Sequence, residues 1–297
     1  MSMLGVLRPL GQTWTALALV IFLVALLALP AGDFVAAQSF LITAAMLGFA
    51  GGLIWSASTG VKLVARAAEA SAFVMSLWII TPLFFVVPFL LLTPGMGYLQ
   101  ALFEAYSALT TTGAILAPPE NVPDTLIFWR CLLSFLGGYL TLLTAAGVLA
   151  AFDNAGLELR KSFLLTADHD NIFSNLHVAA RRIAVIYAGL AALGYLVLAG
   201  FGVPAFEALC LSLSAISTGG YTVSSGPLEG QVSGAAIATL TVICLIGASN
   251  IAYLRAVVTQ RRIPKDTDVL AMLLLVVGLS VLFAIGTSGG SGPLAIV

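Results

Sequence analysis

Long uncharged stretches separated by short polar ones set the organisation of this chain. Runs free of Asp, Glu, Lys and Arg cover Pro9–Gly32, Phe34–Val61, Ala70–Phe103, Cys131–Phe152, Ile183–Phe206, Ala208–Leu228, Gly230–Leu254 and Val269–Val297. Each reaches the roughly 20 residues with which a helix crosses about 30 Å of hydrocarbon. The pattern predicts seven long apolar helices, near residues 12–31, 35–56, 70–92, 125–152, 180–202, 231–257 and 268–288. Two more segments, near 98–112 and 205–218, are rich in Ser, Thr and Gly and make poor spans. They fit short helices that enter the membrane and turn back, since irregular backbone is tolerated there only when buried in protein or lining a wet path.

Composition agrees with this reading. The chain is 60% hydrophobic and 8% charged, with a mean hydropathy of +1.09, whereas a soluble domain is about a quarter charged. The bilayer is therefore the solvent for most of it. The first apolar run is too long, and too poorly matched to a small-residue cleavage pattern, for a cleaved signal peptide, so it reads as a retained helix. Cys131, Cys210 and Cys244 lie in apolar segments without paired spacing and read as small buried hydrophobes. His169 and His177 sit in a polar connection with no set of metal ligands around them.

Charge gives the orientation. With a cytoplasmic N-terminus, Arg8, Lys62, Arg66, Arg160, Lys161, Arg181, Arg182, Arg255, Arg261, Arg262 and Lys265 all fall inside, and of the 12 basic residues only Arg130 falls outside. Basic residues concentrate on the cytoplasmic side of membrane proteins. Counting the Ala208–Leu228 run as a full span would invert the later loops and lose that asymmetry. On the outer side stand Asp33, Glu104, Glu120, Asp124, Glu207 and Glu229, a negative mouth that would raise the local cation concentration or simply solvate its loops.

An internal repeat supplies the chemistry. Ser107-Ala108-Leu109-Thr110-Thr111-Thr112-Gly113-Ala114 recurs 107 residues on as Ser214-Ala215-Ile216-Ser217-Thr218-Gly219-Gly220-Tyr221. Each copy follows a short apolar segment and precedes another long one. Small residues of this kind also serve helix–helix contacts, but two copies in equivalent places point to paired pore loops. Their backbone carbonyls could replace the hydration shell of a monovalent cation. Gly113 and Gly220 suit this, because carbonyls turned one way demand backbone angles that a Cβ resists. The C-terminal ends of the short helices would add their negative dipole ends.

At these residues the chain resembles the TrkH/KtrB family of potassium transporters, of the superfamily of K⁺ transporters. Thr110-Thr111-Thr112-Gly113-Ala114, with Phe128-Trp129-Arg130 and Gly137-Gly138 after it, is similar to the family's first unit. Ser217-Thr218-Gly219-Gly220-Tyr221 resembles the second filter. Gly247-Ala248-Ser249-Asn250, Arg255 and Pro264-Lys265-Asp266 resemble the passage to a third unit. The resemblance implies an all-α membrane protein of about seven transmembrane helices with two re-entrant pore loops. Two N-terminal helices (1–66) would precede a first helix–pore loop–helix unit (67–160), a second (161–262), and the first helix of an incomplete third (263–297).

By the same resemblance Thr110, Thr111, Thr112, Gly113, Ser217, Thr218, Gly219 and Gly220 form the K⁺-binding filter, and Arg130 with Glu104 supports it. Arg130 could instead pair with Asp124, or anchor the interface beside Trp129. Glycine at Gly113 associates with K⁺ rather than Na⁺. Gly113 is expected to be the more sensitive filter glycine, because Thr110 to Thr112 beside it form the fuller match to the filter pattern and the Gly219-Gly220 pair has backbone freedom to spare. The resemblance further implies potassium uptake across a bacterial cytoplasmic (inner) membrane, K⁺ as the transported ion, a homodimer, and a TrkA-type cytoplasmic nucleotide-binding regulatory subunit. No nucleic acid is involved. The chain corresponds to an N-terminal half, and two filter strands alone do not close a four-sided cage. A secondary cation transporter and a non-conducting half-subunit are the alternatives. The first would place an acidic residue inside a long helix, and none is there. An enzyme would need a placed base or metal.

Overall fold

The computed structural model describes residues 3–29, 32–58, 67–153, 172–249 and 267–288. All secondary structure among the described residues is helical. The long helices are α1 (Met3–Ala28), α2 (Phe34–Ala57), α3 (Ala67–Leu92), α5 (Asp124–Asp153), α6 (Ile172–Gly200), α8 (Gly234–Ala248) and α9 (Thr267–Ser288), and the short ones are α4 (Tyr98–Leu109) and α7 (Ala205–Ile216). Five of them, within Val6–Ala28, Phe34–Ala57, Ser71–Leu92, Asp124–Ala145 and Ala180–Gly200, are long and apolar enough to cross a membrane. The chain divides into two compact units, Met1–Ala248 and Ser249–Val297. The second contains α9, and everything below concerns the first.

Two helices begin earlier than the apolar pattern predicts. α1 runs through Pro9 from Met3, and α6 starts at Ile172, so His177 is helical rather than in a connection. Helical hydrogen bonding does not stop where hydrophobicity does, so polar turns extend a spanning helix beyond the bilayer core. Asn250, His169, Lys62, Arg66, Arg160, Lys161, Arg255, Arg261, Arg262 and Lys265 lie outside the described residues.

Packing explains how the first unit is held. Asp33 caps α2 by accepting from the Ala36 amide at 3.0 Å, which satisfies one of the free donors at a helix start. Its other oxygen accepts from Thr125 Oγ1 at 2.9 Å, tying the α1–α2 connection to the start of α5. Trp14 on α1 donates to Thr81 Oγ1 on α3 at 2.9 Å. Phe40 of α2 and Phe85 of α3 close on Trp129 of α5, with ring centroids 5.2 and 5.6 Å apart. These contacts seat α1 and α2 against α3 and α5. Large apolar side chains such as Leu27, Phe49, Ile79 and Leu193 point outward, as lipid-facing surfaces require because lipid tails are as apolar as leucine.

Candidate functional site

The two short helices end in the same way. In the first copy the Thr111 amide donates to Ala108 O at 3.1 Å and the Thr112 amide to Ser107 O at 2.9 Å. In the second, Thr218 donates to Ala215 O at 3.0 Å and Gly219 to Ser214 O at 2.8 Å. This pair of bonds is a Schellman cap, which places its C′ residue in the left-handed region and usually puts glycine there. Here the C′ residues are threonines, Thr111 and Thr218, both with φ of 55°. A β-branched residue at positive φ is an outlier, and such strain costs on the order of 1–3 kcal/mol and concentrates at functional sites. Two residues on, Gly113 and Gly220 have φ of 76° and 73°. Left-handed residues thus alternate with others in both copies. The glycines were expected to need this geometry; the threonines were not.

The copies also touch. A Cβ on Gly113 would run into the carbonyl oxygen of Gly219 and lie 3.2 Å from its carbon. One on Gly219 would collide with Ser134 Oγ of α5, whereas one on Gly220 would meet nothing within 4 Å. The spare freedom expected for the Gly219-Gly220 pair is therefore confined to Gly220. Each short helix is backed by a glycine of the following long helix. A Cβ on Gly137 would lie 2.8 Å from the Leu109 carbonyl carbon, and one on Gly247 would lie 2.9 Å from that of Ile216. Leu109 and Ile216 close α4 and α7, so α5 and α8 press on the last carbonyls before the Thr/Ser-Gly strands. This second repeat has a spacing of 110 rather than 107 residues, which hid it from a fixed-offset comparison.

Behind the first strand lies a buried ion pair. Arg130 Nε donates to Glu104 Oε2 at 3.0 Å and Nη2 to Oε1 at 2.8 Å. Nη2 also reaches Ala117 O at 2.9 Å, and Glu104 Oε1 accepts from the amides of Leu116 at 2.7 Å and Ala117 at 3.2 Å. Asp124 is not the partner. Glu104 is 0% exposed and Arg130 1%, so Glu104 does not belong to a solvated negative mouth. Its charge is used internally, to hold the chain that leaves the first strand. In the second copy the position 107 residues on is Leu211, so no such pair exists there. Instead Tyr221, buried, inserts beside Ser107, Glu104 and Arg130 of the first unit.

Of the other acids expected on the outer side, Asp33 serves the cap described above and Glu120 bridges the loops that follow the two strands. Glu120 Oε1 accepts from the Ser225 amide at 2.5 Å and Oε2 from Ser225 Oγ at 2.8 Å. The Ser225 amide, and then Glu120's own amide and the Ser225 hydroxyl, hold this carboxyl below its ordinary value. A depressed carboxylate stabilises the folded form above its unfolded pKa, near 4.3 for glutamate, and that stabilisation is lost as pH falls through the lower folded value. The clasp is therefore expected to be intact at neutral pH and to open only as pH falls below the ordinary glutamate value. Hydrogen exchange at Ser225 should quicken there, while Glu120→Gln should show fast exchange already at pH 7.

The positions expected to form a filter split by environment. Thr110, Thr112, Thr218 and Gly220 are exposed, Thr111 and Gly113 partly so, and Ser217 and Gly219 are buried. Thr110 Oγ1 donates to Tyr106 O at 2.7 Å and pairs with Thr112 Oγ1 at 2.8 Å. Ser217 turns its hydroxyl inward, to Leu213 O, Ser214 O and Ser134 Oγ. Ser134 carried no signal in the sequence, because a serine in an apolar helix is commonplace, and nothing there linked Glu120 to Ser225. Among the described residues no group of His, Cys, Asp or Glu is arranged to hold a metal ion.

Comparison with known proteins places this architecture. The TrkH family, described as cation transport protein, matches residues 36–263. An uncharacterized cation transporter of Methanocaldococcus jannaschii is 32% identical over 149 residues, covering 50% of this chain and 31% of that protein. The Trk system potassium uptake protein TrkH of Salmonella typhimurium is 27% identical over 188 residues, 62% of this chain and 38% of that one. In fold, the crystal structure of the potassium transporter TrkH from Vibrio parahaemolyticus is similar, with a TM-score of 0.71 at 24% identity over 88% of this chain and 53% of that chain. The chain thus spans about half or less of the length of these relatives. With a match over most of its length and the same helical arrangement, the chain belongs to the TrkH family of cation transport proteins.

Proposed function

We propose that Thr110–Gly113 and Ser217–Gly220 line a path for K⁺, as part of a Trk/Ktr-type channel-like subunit for potassium uptake. The observation that carries this reading is the duplicated backbone: Thr111 and Gly113, then Thr218 and Gly220, adopt positive φ at matching positions. A left-handed residue at every second position turns successive carbonyls to one side of a strand, the arrangement in which carbonyl oxygens replace a cation's water. The strands begin at the C-terminal ends of α4 and α7, where the helix dipole is negative. The outward Thr110 and Thr112 hydroxyls add oxygen ligands, and Glu104 with Arg130 keeps the first strand in register. The proteins named as potassium uptake proteins among its relatives make K⁺ the ion of choice. A full cage takes more strands than these two, supplied by the rest of the family's length. The assembly is a homodimer with a TrkA-type nucleotide-binding partner, in a bacterial inner membrane, with the two segments re-entering from outside and the N-terminus cytoplasmic.

The test replaces the matching part of the Salmonella typhimurium TrkH with this chain, in cells lacking other potassium uptake. Growth at low K⁺ and rubidium uptake are expected, with an impermeant maleimide labelling a cysteine at Asn121 from outside but not one at Asp168. A chimera present in the membrane at the parent's level and inactive in rubidium uptake contradicts the reading of the strands. Outside labelling at Asp168 contradicts the orientation.

A further inference from the structure

The two strands are held by different means. In the first copy Thr110 bonds to its own helix and to Thr112, and the Glu104–Arg130 pair belongs to the same unit. In the second copy the contact comes from α5, the helix that follows the first copy. Ser134 Oγ of α5 lies 2.8 Å from Ser217 Oγ, and both residues are buried. The Ser217 hydroxyl also lies 2.9 Å from Leu213 O and 3.1 Å from Ser214 O. Carbonyls only accept, and a serine has one proton to give. With that proton directed to α7, Ser217 accepts from Ser134.

The same Ser134 oxygen occupies the space that a Cβ on Gly219 would need. One turn on, Gly138 brings α5 close enough that an added Cβ would lie 3.2 Å from Ser217 Cβ and collide with the Tyr187 hydroxyl. Tyr187 itself is fixed by stacking on Phe135, with centroids 4.7 Å apart. Ser134 and Gly138, four apart on a helix, share one face, and that face abuts the start of the second strand.

We propose that Ser134 is a positioning residue for the second strand. It donates to Ser217 and abuts Gly219, so the helix that follows the first copy of the repeat sets the backbone of Ser217–Gly220 in the second copy. The inference rests on the reading of these strands as a cation path only for its consequence in selectivity, not for the contact itself.

Hydrogen exchange on the purified chain in detergent tests it, because the Thr218 and Gly219 amides are bonded to Ala215 O and Ser214 O and report opening of the cap. In Ser134→Ala, exchange across 217–221 is expected to quicken about five- to tenfold, the effect of losing one buried hydrogen bond. Exchange across 110–114 should stay as it was. Ser217→Ala, which also loses its bonds to α7, should quicken it at least as much, the double variant should be no faster than Ser217→Ala alone, and Ser134→Thr, which keeps the hydroxyl, should retain protection. Unchanged exchange at 217–221 in Ser134→Ala overturns the proposal. So does an additive double variant, or quickening spread evenly over α5 and α7. In the transporting chimera, Ser134→Ala should also lower the rubidium-to-sodium flux ratio. Fast exchange at 217–221 with an unchanged ratio supports the positioning role and removes these residues from the cation path.

Discussion

Arg130→Met is expected to cost about 3–5 kcal/mol, the usual penalty for leaving one partner of a buried ion pair uncompensated, and so to lower the melting temperature sharply. Glu104 would be left without its partner at a site with no access to water, since it is 0% exposed, and would retain only the Leu116 and Ala117 amides. Those amides follow the first Thr-Gly strand directly, so the strand's outward path loses its anchor along with the pair. The double variant Glu104→Gln/Arg130→Met removes both charges and should recover part of the loss, because an apolar replacement of a whole pair is often tolerated. Arg130→Lys keeps the charge but not the two-point fork, and should fall between. Thermal melting in detergent reads all three. An Arg130→Met chain as stable as the parent would mean that the pair does not hold the loop.

Much of this fold was legible in the sequence, for a simple reason: a charge costs so much in hydrocarbon that uncharged runs mark helices almost directly. The ends of the helices were less so. α6 continues through Arg181, Arg182 and His177 to Ile172, where the bilayer no longer selects for apolar residues. The Thr/Ser-Gly repeat located both strands because its spacing is constant. It did not disclose that Thr111 and Thr218 take the left-handed cap position, since propensity alone would assign that position to glycine. Glu104 and Asp124 were both possible partners of Arg130 in the sequence, and the fold decides between them by bringing Arg130, 26 residues later, back against Glu104. Ser134 was invisible for a related reason: it serves a strand of the other unit, 83 residues away, and contacts at that separation leave no local pattern.

The second large effect concerns Gly113. Serine there would meet two obstacles, a φ of 76° that an L-residue resists and the Gly219 carbonyl in the way of its Cβ. The backbone term alone is about 1–2 kcal/mol; the collision adds displacement of the second strand. Gly220→Ser meets only the first obstacle, since nothing lies within 4 Å of its would-be Cβ. In the purified chain Gly113→Ser should therefore lower the melting temperature clearly more than Gly220→Ser. The cause differs from the one the sequence suggests: it is the contact between the two strands, not the fuller Thr110–Thr112 match.

The most direct test of the cation path is the ratio of rubidium to sodium flux, per molecule, through the reconstituted chimera with and without Gly113→Ser. If the carbonyls of these strands select the ion, displacing the Gly219 carbonyl and adding a hydroxyl alters the number and field of coordinating oxygens. The ratio should then fall about tenfold, equivalent to roughly 1.4 kcal/mol of lost discrimination. A ratio equal to the parent's, with only the amount of folded protein reduced, would contradict the account and leave Gly113 a packing residue.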